Sequence, residues 1–267
     1  MTDFSALLQS ACKTIASQKP IVHQITNFVT MTDCANTVCA VGASSVMAYA
    51  PEEAAEVTAL SQALVLNLGT PDALRFQTAI RCGQVANEKQ IPVVLDPVGV
   101  GATTFRKENM ARLLQAVHPS IIKGNVAEMK TLSGLTPGQN RLIDSSDALT
   151  AQTEEALVAL AAARKTVLVV SGPVNFLTDG QKRLHVPGGS LFFTRFSGAG
   201  CMTGALMGAF AAVCPPLEAA YLAVCVMNAC GAWAEEKACG VGSFKQYLYD
   251  GLSRLPKLEK EGMFLGS

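Results

Sequence analysis

A glycine-rich turn that leads into a run of small residues is the strongest chemical signal in the sequence. Residues 196–205 read FSGAGCMTGA, and glycine and alanine recur up to Ala212. Gly198 and Gly200 would let the backbone approach a ligand closely, and the N–H groups of a helix starting here would hold an anion. Cys201 would lie in the first turn, where the helix dipole favours negative charge, so we expect a lowered pKa and some thiolate character. The competing interpretation is that the glycines only allow tight helix packing.

A second signal is an aspartate at the end of an apolar run. Asp96 follows the apolar residues 93–95 and precedes the loop PVGVGAT. Carboxylates are preferred ligands of Mg²⁺, directly or through water, so Asp96 is a candidate metal ligand. The alternative is that Asp96 only caps the next turn.

A third signal is the segment KGNVAE at residues 123–128. Asn125 suits a helix N-cap, and Glu128 three residues later would complete a capping box. The segment also follows a predicted strand, at the sheet edge where Asp96 is expected. Glu128 is therefore a candidate Mg²⁺ ligand and Lys123 a candidate phosphate ligand, and the capping interpretation stays open.

These three weak signals support one another because they are expected at one edge of one sheet. Phosphoryl transfer depends on positioning, a metal ion and anion stabilisation more than on covalent chemistry, and the three segments offer all of these. The chain lacks the GxxxxGK[ST] pattern of P-loop kinases. We therefore predict a phosphotransferase outside the P-loop class.

Short apolar runs that alternate with longer helical patterns would position these segments. Fully apolar strands are typical of a parallel sheet that is covered on both faces. We predict such strands at Ile21–Ile25, Ser45–Ala48, Ala63–Asn67, Val93–Asp96, Ser120–Ile122 and Val167–Ser171. A β-hairpin follows, with strands Val174–Thr178 and Lys182–Val186 on either side of an Asp-Gly turn.

Helical patterns fill the intervals and the end of the chain. We predict helices at Met31–Val41, Pro51–Ser61, Pro71–Lys89, Lys107–Val117, Ala127–Ser133, Ser145–Arg164, Cys201–Val213, Pro216–Lys237 and Ser243–Leu255. This order predicts an α/β fold, a three-layer α/β/α sandwich with a mostly parallel central sheet. Ligands of such sheets bind beyond the carboxyl ends of the strands. The length of 267 residues, without a linker, favours one domain over residues 1–267.

The composition argues against several classes of partner. Lys plus Arg and Asp plus Glu each number 21, and the basic residues are scattered, so nucleic-acid binding is disfavoured. Only 16% of residues are charged, against about 25% in an average domain, so we expect a homo-oligomer that covers part of the surface. The apolar stretch Cys201–Cys214 falls short of the roughly 20 residues that span a bilayer, so no membrane partner is expected.

The nine cysteines are predicted to be free thiols. None form a Cys-x-x-Cys pair, and the closest pairs, Cys34/Cys39 and Cys225/Cys230, lie in apolar helical patterns. Buried packing explains most of them, and an odd number without framework spacing indicates a reducing cytoplasm. The start of the chain does not read as a signal peptide. The three histidines are too dispersed for a zinc site.

Taken together, the segments resemble the hydroxyethylthiazole kinases, thiamine-salvage members of the ribokinase-like superfamily. The resemblance runs from about Val22 to Ala238. Its landmarks are HQITNFVT at 23–30, GASSVM at 42–47, LNLGT at 66–70, DPVGVGA at 96–102, KGN at 123–125 and SGAGC at 197–201. Most ribokinase-like enzymes carry Asp where the thiazole kinases, and this chain, carry a cysteine, here Cys201.

The resemblance implies ATP, Mg²⁺ and 5-(2-hydroxyethyl)-4-methylthiazole as ligands, in a homotrimer whose substrate sites lie between subunits. The residues implied to contact the thiazole are Asn27, Met47 and Gly198. Those implied to contact ATP are Lys123, Ser171, Ala199 and Gly200. Asp96 and Glu128 would serve the metal and the phosphates, and Cys201 the substrate hydroxyl. Many members have Arg in place of Lys123 and Thr in place of Ser171, so nucleotide affinity is expected to differ.

Three other functions compete with this one. A ribokinase-like kinase of another alcohol, such as hydroxymethylpyrimidine, would use the same motifs. An ATP-dependent hydrate dehydratase shares the fold but normally retains Asp where Cys201 stands. A nucleotide-binding structural oligomer would not need Asp96, Glu128 and the glycine turn together.

Overall fold

The computed structural model describes residues 4–135, 148–255 and 257. Its strands there are β1 (Ile21–Ile25), β2 (Ser44–Val46), β3 (Ala63–Asn67), β4 (Val93–Asp96), β5 (Ile121–Asn125), β6 (Val167–Ser171), β7 (Val174–Thr178) and β8 (Arg183–Pro187). They form one sheet in the order β2-β1-β3-β4-β5-β6-β7-β8. Strands β1 to β6 are parallel, and β7 and β8 are antiparallel additions at one edge. The predicted mostly parallel sheet and its terminal hairpin are confirmed.

One strand boundary matters for the site. β5 was expected to end at Ile122, because Lys123 and Gly124 look like the start of a loop. Instead it continues to Asn125, pairing in register with β6 up to Ser171. Lys123 therefore projects from a strand inside the sheet, which makes its position more rigid than a loop would.

Helices cover both faces of the sheet. They are α1 (Phe4–Gln18), α2 (Met31–Ala40), α3 (Ala54–Leu60), α4 (Ala73–Glu88), α5 (Thr104–Ala116), α6 (Val126–Leu132), α7 (Ala151–Arg164), α8 (Ala199–Ala211), α9 (Pro216–Lys237) and α10 (Val241–Ser253). A short 3-10 helix spans Leu191–Thr194. Helix α1 and the 3-10 helix were not predicted. The predicted start of α7 at Ser145 lies outside the described residues; the helix begins at Ala151, with Thr150 as its N-cap.

Two apolar cores separate the three layers. Neighbouring residues of β3 alternate between them: Val65 faces the core under α1, α2, α8, α9 and α10, whereas Leu64 and Leu66 face the core under α3 to α7. This alternation follows from the two-residue period of a strand. Because both faces are apolar, the strands read as continuous hydrophobic runs in the sequence.

Helix α9 is long and apolar enough to cross a membrane by length and composition, but 61% of its most apolar window is buried inside the fold. Core helices pass the same test. The more apolar but shorter helix α8 is also almost fully buried, against the middle of the sheet.

The carboxyl ends of the parallel strands bring polar side chains to one edge. Asn67 at the end of β3 pairs in register with Asp96 at the end of β4. Asn125 at the end of β5 pairs with Ser171 at the end of β6. Asn27 follows β1, two residues past its end. Polar residues from five separated segments, among them the predicted Asn27, Asp96 and Ser171, therefore lie along this edge.

Candidate active site

Asp96 lies at the centre of this edge. It is 1% exposed, and its Oδ2 accepts hydrogen bonds from Asn67 Nδ2 at 3.2 Å and from Lys123 Nζ at 3.3 Å. Its Oδ1 is buried with no partner among the described residues. Burial raises the pKa of Asp96, and the ammonium of Lys123 opposes that rise. A buried carboxylate with one engaged and one open oxygen is prepared to accept a cation.

Lys123 brings a positive charge against the glycine turn. Burial alone would lower its pKa, but the carboxylates of Asp96 and Glu128 and the Cys201 thiol outweigh that effect and raise it. A Cβ atom at Gly200 would lie 2.7 Å from Lys123 Nζ. Only glycine at that position lets the ammonium and the start of α8 come this close. The space at Gly200 is thus used by Lys123, and the expected close approach to a ligand stays a prediction.

Glu128 serves as a helix cap and as a member of the site at once. The Asn125 side chain accepts from the Glu128 N–H at 2.9 Å, and Glu128 Oε2 accepts from the Asn125 N–H at 2.7 Å, which is a capping box. Its Oε1 accepts from the Gly99 N–H, in the loop after β4, at 2.8 Å. Burial and the charge of Asp96 raise its pKa to about 7. The two interpretations of this segment are thus compatible.

Cys201 lies in the first turn of α8, with its sulfur accepting a hydrogen bond from Asn27 Nδ2 at 3.4 Å. The expected lowering of its pKa is wrong. Burial raises the pKa of this thiol, and the neighbouring Asp96 raises it further, while the charge of Lys123 and the polar side chains of Thr30 and Asn67 only partly compensate. The expectation considered only the effect of the helix N-terminus on the pKa. Desolvation and a neighbouring carboxylate have larger effects on the pKa of a thiol in this environment.

Gly198 starts this turn in a left-handed conformation. Its φ is 108°, a region that side chains rarely adopt, and a Cβ there would meet Thr30 Cγ2 at 2.6 Å. The turn therefore needs glycine for both conformation and space, rather than for helix packing alone. Ala199 and Gly200 follow as the first residues of α8, with their N–H groups at the helix N-terminus.

Two predicted residues lie at the same edge but outside this hydrogen-bonded group. Ser171 is half-buried, and its Oγ donates to the Gly124 carbonyl at 3.3 Å. Met47 is half-buried, one residue past β2, and packs against the core that also receives Cys201. Sequence reasoning missed two residues of the group, Thr30 and Asn67. Both stand in segments that carried the family resemblance, but neither was singled out.

The donor set fits a hard cation held jointly with phosphate. No cluster of three or more His, Cys, Asp or Glu side chains with metal-ligand geometry occurs in the described part of the chain. Mg²⁺ is commonly bound through one or two carboxylates together with water and substrate phosphates, and needs no such cluster. The open Oδ1 of Asp96 is the atom that fits this role. Both oxygens of Glu128 already accept backbone hydrogen bonds, which favours contact through water.

Comparison with known proteins identifies the family. The model of the hydroxyethylthiazole kinase family matches residues 12–258. Hydroxyethylthiazole kinase of Nitratidesulfovibrio vulgaris is 42% identical over 246 residues, covering 92% of this chain and 91% of that protein. The Methanosarcina mazei enzyme of the same name is 39% identical over 257 residues, covering 96% and 98%.

Solved structures agree with the sequence relatives. A hydroxyethylthiazole kinase protein from Pyrococcus horikoshii superimposes with a TM-score of 0.82 at 35% identity, over 93% of each chain. A ribokinase-like superfamily protein from Enterococcus faecalis superimposes with a TM-score of 0.65 at 13% identity, which shows the shared fold alone. By sequence and by structure, this chain belongs to the hydroxyethylthiazole kinase family.

Proposed function

We propose that the chain transfers the γ-phosphoryl group of ATP to the hydroxyl of 5-(2-hydroxyethyl)-4-methylthiazole, as a single kinase domain acting in thiamine salvage. The observation that carries this proposal is the buried Asp96–Lys123 pair facing the N-terminus of α8 beside Cys201. It combines an open carboxylate oxygen, a fixed positive charge and an anion-binding helix end. These are the parts that phosphoryl transfer requires.

The phosphates of ATP would lie between Lys123 and the start of α8. The N–H groups of Ala199 and Gly200 would donate to a phosphate oxygen, and the ammonium of Lys123 would neutralise charge beside them. Ser171 would contact the nucleotide from the end of β6. Lys123 offers a point charge, whereas an arginine would offer a planar fork, so this chain would hold the phosphate by charge more than by bidentate geometry.

Asp96 and Glu128 would hold Mg²⁺, Asp96 through its open oxygen and Glu128 through water. An ion held by these two residues would supply positive charge against the negative charge that develops on the transferred phosphoryl group. Lys123 lies 3.3 Å from Asp96 and keeps this carboxylate paired when no ion is bound. Since removing one partner of a buried pair costs roughly 3–5 kcal/mol, Lys123 also stabilises the folded site.

The alcohol would lie between Asn27, Gly198 and Cys201, with Met47 packing against the thiazole ring. Because burial raises the pKa of Cys201, the side chain is a neutral thiol at pH 7 rather than a thiolate. It would therefore orient the hydroxyl by hydrogen bonding and contribute little as a base. A loose transition state, in which the hydroxyl proton leaves late, tolerates a weak base.

A homotrimer in the cytoplasm is the assembly we propose. Phe28, Val29 and Tyr49 are exposed apolar residues next to Asn27 and Met47. An exposed aromatic cluster of this kind is typical of a subunit contact. Covering it with a second copy would place that copy's surface beside the thiazole pocket and complete a site shared between subunits.

The test is ADP release with the thiazole alcohol as sole acceptor, with and without Mg²⁺. We expect Mg²⁺-dependent ADP formation in equal amount to a phosphate ester identified by mass spectrometry. Hydroxymethylpyrimidine, assayed in parallel, should be a poorer acceptor by kcat/KM. Preference for the pyrimidine would assign the other kinase activity, and no phosphoryl transfer to either alcohol would support a non-enzymatic nucleotide-binding role.

A further inference from the structure

Asn67 is a buried amide at the junction of the two halves of the site. It is the last residue of β3 and is 2% exposed. In the sheet, β3 lies between β1, which Asn27 follows, and β4, which Asp96 ends. Its Nδ2 donates to Asp96 Oδ2 at 3.2 Å, and its Oδ1 accepts from Asn27 Nδ2 at 2.8 Å. Asn27 Nδ2 also donates to the Cys201 sulfur at 3.4 Å. Asn67 is therefore linked directly to the carboxylate and, through Asn27, to the thiol.

Backbone donors fix the direction of this amide chain. The Gly69 N–H donates to Asn67 Oδ1 at 3.2 Å, and the Thr30 N–H donates to Asn27 Oδ1 at 3.0 Å. Turning the Asn67 amide over would set its NH₂ group against two donors and its oxygen against the carboxylate of Asp96. Each unsatisfied hydrogen-bonding group of a buried amide destabilises the protein by roughly 1–3 kcal/mol, so only one orientation is stable.

This orientation determines which oxygen of Asp96 stays open. Asn67 and Lys123 both bond Oδ2, so the carboxylate is held by one oxygen from two sides. Oδ1 remains buried and unpartnered within the described residues. A carboxylate held by Lys123 alone could rotate about its χ2 and present either oxygen.

We propose that Asn67 is a positioning residue of this kinase site. It holds the Asp96 carboxylate so that Oδ1 is directed to the cation. Through the Asn27 amide, it also fixes the position of the Cys201 thiol relative to that carboxylate. The expected effect of Asn67 on kcat rests on the proposed kinase function. Its expected effect on cation affinity does not depend on which alcohol is phosphorylated.

The test compares Asn67→Leu and Asn67→Ser with Asn175→Leu. Leucine is close to asparagine in size but makes no hydrogen bond, whereas serine is smaller and leaves space. Because the two substitutions disturb the fold in different ways, at least one folded variant is expected for the measurements. Asn175 is a matched control, a buried asparagine on β7 whose Nδ2 donates to the Val186 carbonyl at 3.4 Å. Each variant is measured for Tm, for kcat and KM, and for Mn²⁺ affinity by electron paramagnetic resonance with a non-hydrolysable ATP analogue.

Loss of an outer hydrogen-bonding partner typically weakens metal binding or activity by about 10–100-fold. We expect both Asn67 variants to lose kcat and Mn²⁺ affinity in this range, while KM for the alcohol changes by less than about threefold. Asn175→Leu should lower Tm but leave kcat and Mn²⁺ affinity within about twofold of the wild type.

Two results would overturn the inference. One is wild-type Mn²⁺ affinity and kcat in the Asn67 variants. The other is a loss in those variants that Asn175→Leu reproduces at the same drop in Tm. If the wild type itself fails to phosphorylate the thiazole alcohol, the proposed function falls instead, and the Mn²⁺ measurement still decides the role of Asn67.

Discussion

The thiol of Cys201 is half-buried, and its pKa responds to a carboxylate and to an ammonium. Asp96 raises its pKa and Lys123 lowers it, while burial adds to the effect of Asp96. Because the two charges oppose each other, desolvation decides the outcome and keeps the thiol neutral. A group of this kind can donate or accept a hydrogen bond but removes a proton poorly.

Cys201→Ala should therefore slow turnover substantially without abolishing it. The N–H groups of α8 and the charge of Lys123 remain, and a general base contributes little to a loose transition state. Cys201→Asp should stay active, because a carboxylate can orient the same hydroxyl. Both predictions are checked by steady-state kinetics on folded protein.

Cys239→Ala is a suitable control, because this cysteine is exposed and distant in sequence from the turn. It should leave kcat unchanged. A well-folded but inactive Cys201→Asp enzyme would contradict the secondary role given to the thiol, as would complete inactivity of Cys201→Ala.

His23 has a structural role that sequence reasoning left open between packing and the pocket wall. Its Nε2 bonds the Ala48 carbonyl at 2.6 Å, and its Nδ1 bonds Thr58 Oγ1 at 2.8 Å. It thus joins β1 to the loop that carries Met47. Burial lowers the pKa of His23 from 6.5, although the bond to Ala48 and the charge of Glu53 oppose this.

Because the folded pKa of His23 is depressed, protonation favours the unfolded chain. Its contribution to stability is fully present above the unfolded pKa of 6.5 and is lost as the pH falls through the lower folded pKa. His23→Gln should therefore show a smaller fall in the free energy of unfolding between pH 7 and pH 5 than the wild type. Urea unfolding at several pH values measures this.

At the scale of elements, helix α8 can carry the site because it lies very close to the sheet. A Cβ at Gly208 would meet Val65 Cγ2 at 2.4 Å and Val22 Cγ1 at 3.1 Å. The glycine lets the helix approach β1 and β3, and the helix N-terminus then reaches Asp96 and Lys123. The packing interpretation of the small residues is thus correct for the middle of α8, and ligand binding at its start stays a prediction.

Overpacking a core usually costs roughly 1–3 kcal/mol, and alanine in place of glycine gains about 1 kcal/mol in a helix interior. Gly208→Ala should therefore lower the free energy of unfolding by a net amount of up to about 2 kcal/mol. Chemical denaturation gives the value directly. Gly242→Ala, in α10 with nothing within 4 Å of a Cβ, is the matched control and should be neutral or slightly stabilising. Equal stability of the two variants would contradict the close packing of α8.

At the scale of the whole molecule, an exposed aromatic surface lies next to Asn27 and Met47, which we propose contact the thiazole. The guanidinium of Arg75 lies 4.1 Å from the ring centroid of Phe28 and 5.4 Å from that of Tyr49. Phe28 is 57% exposed and Tyr49 is 49% exposed. An ordered aromatic–arginine surface is typical of the centre of a protein interface. It is the part of the surface that we assign to the trimer.

Tyr49→Lys should therefore weaken the trimer, because it places a charge at an apolar contact. Light scattering should give three copies of the 28.0-kDa chain for the wild type and a smaller average mass for the variant. Val174→Lys is the control, at a residue 48% exposed near the opposite edge of the sheet, and should leave the mass unchanged. A monomeric wild type, or an unaffected Tyr49→Lys trimer, would argue against this assembly.

Periodic features were predictable from the sequence. The strands, most helices and the layer order follow from hydrophobic periods of 2.0 and 3.6 residues, which depend only on local geometry. Helix α1 was missed although Leu8, Ala11 and Ile15 keep the helical spacing. The end of β5 was misplaced because Lys123 and Gly124 look like a turn until β6 pairs with them.

The sequence by itself determined the order of the elements, the glycine turn and the residue types at the carboxyl edge, because these depend on neighbours along the chain. Only the tertiary structure decided that Asn67 links Asp96 to Asn27, that Glu128 both caps α6 and faces the loop after β4, and that Cys201 is a neutral thiol. The physical reason is that hydrogen bonds between separate strands and the loss of water from a buried pocket depend on distances that folding alone creates.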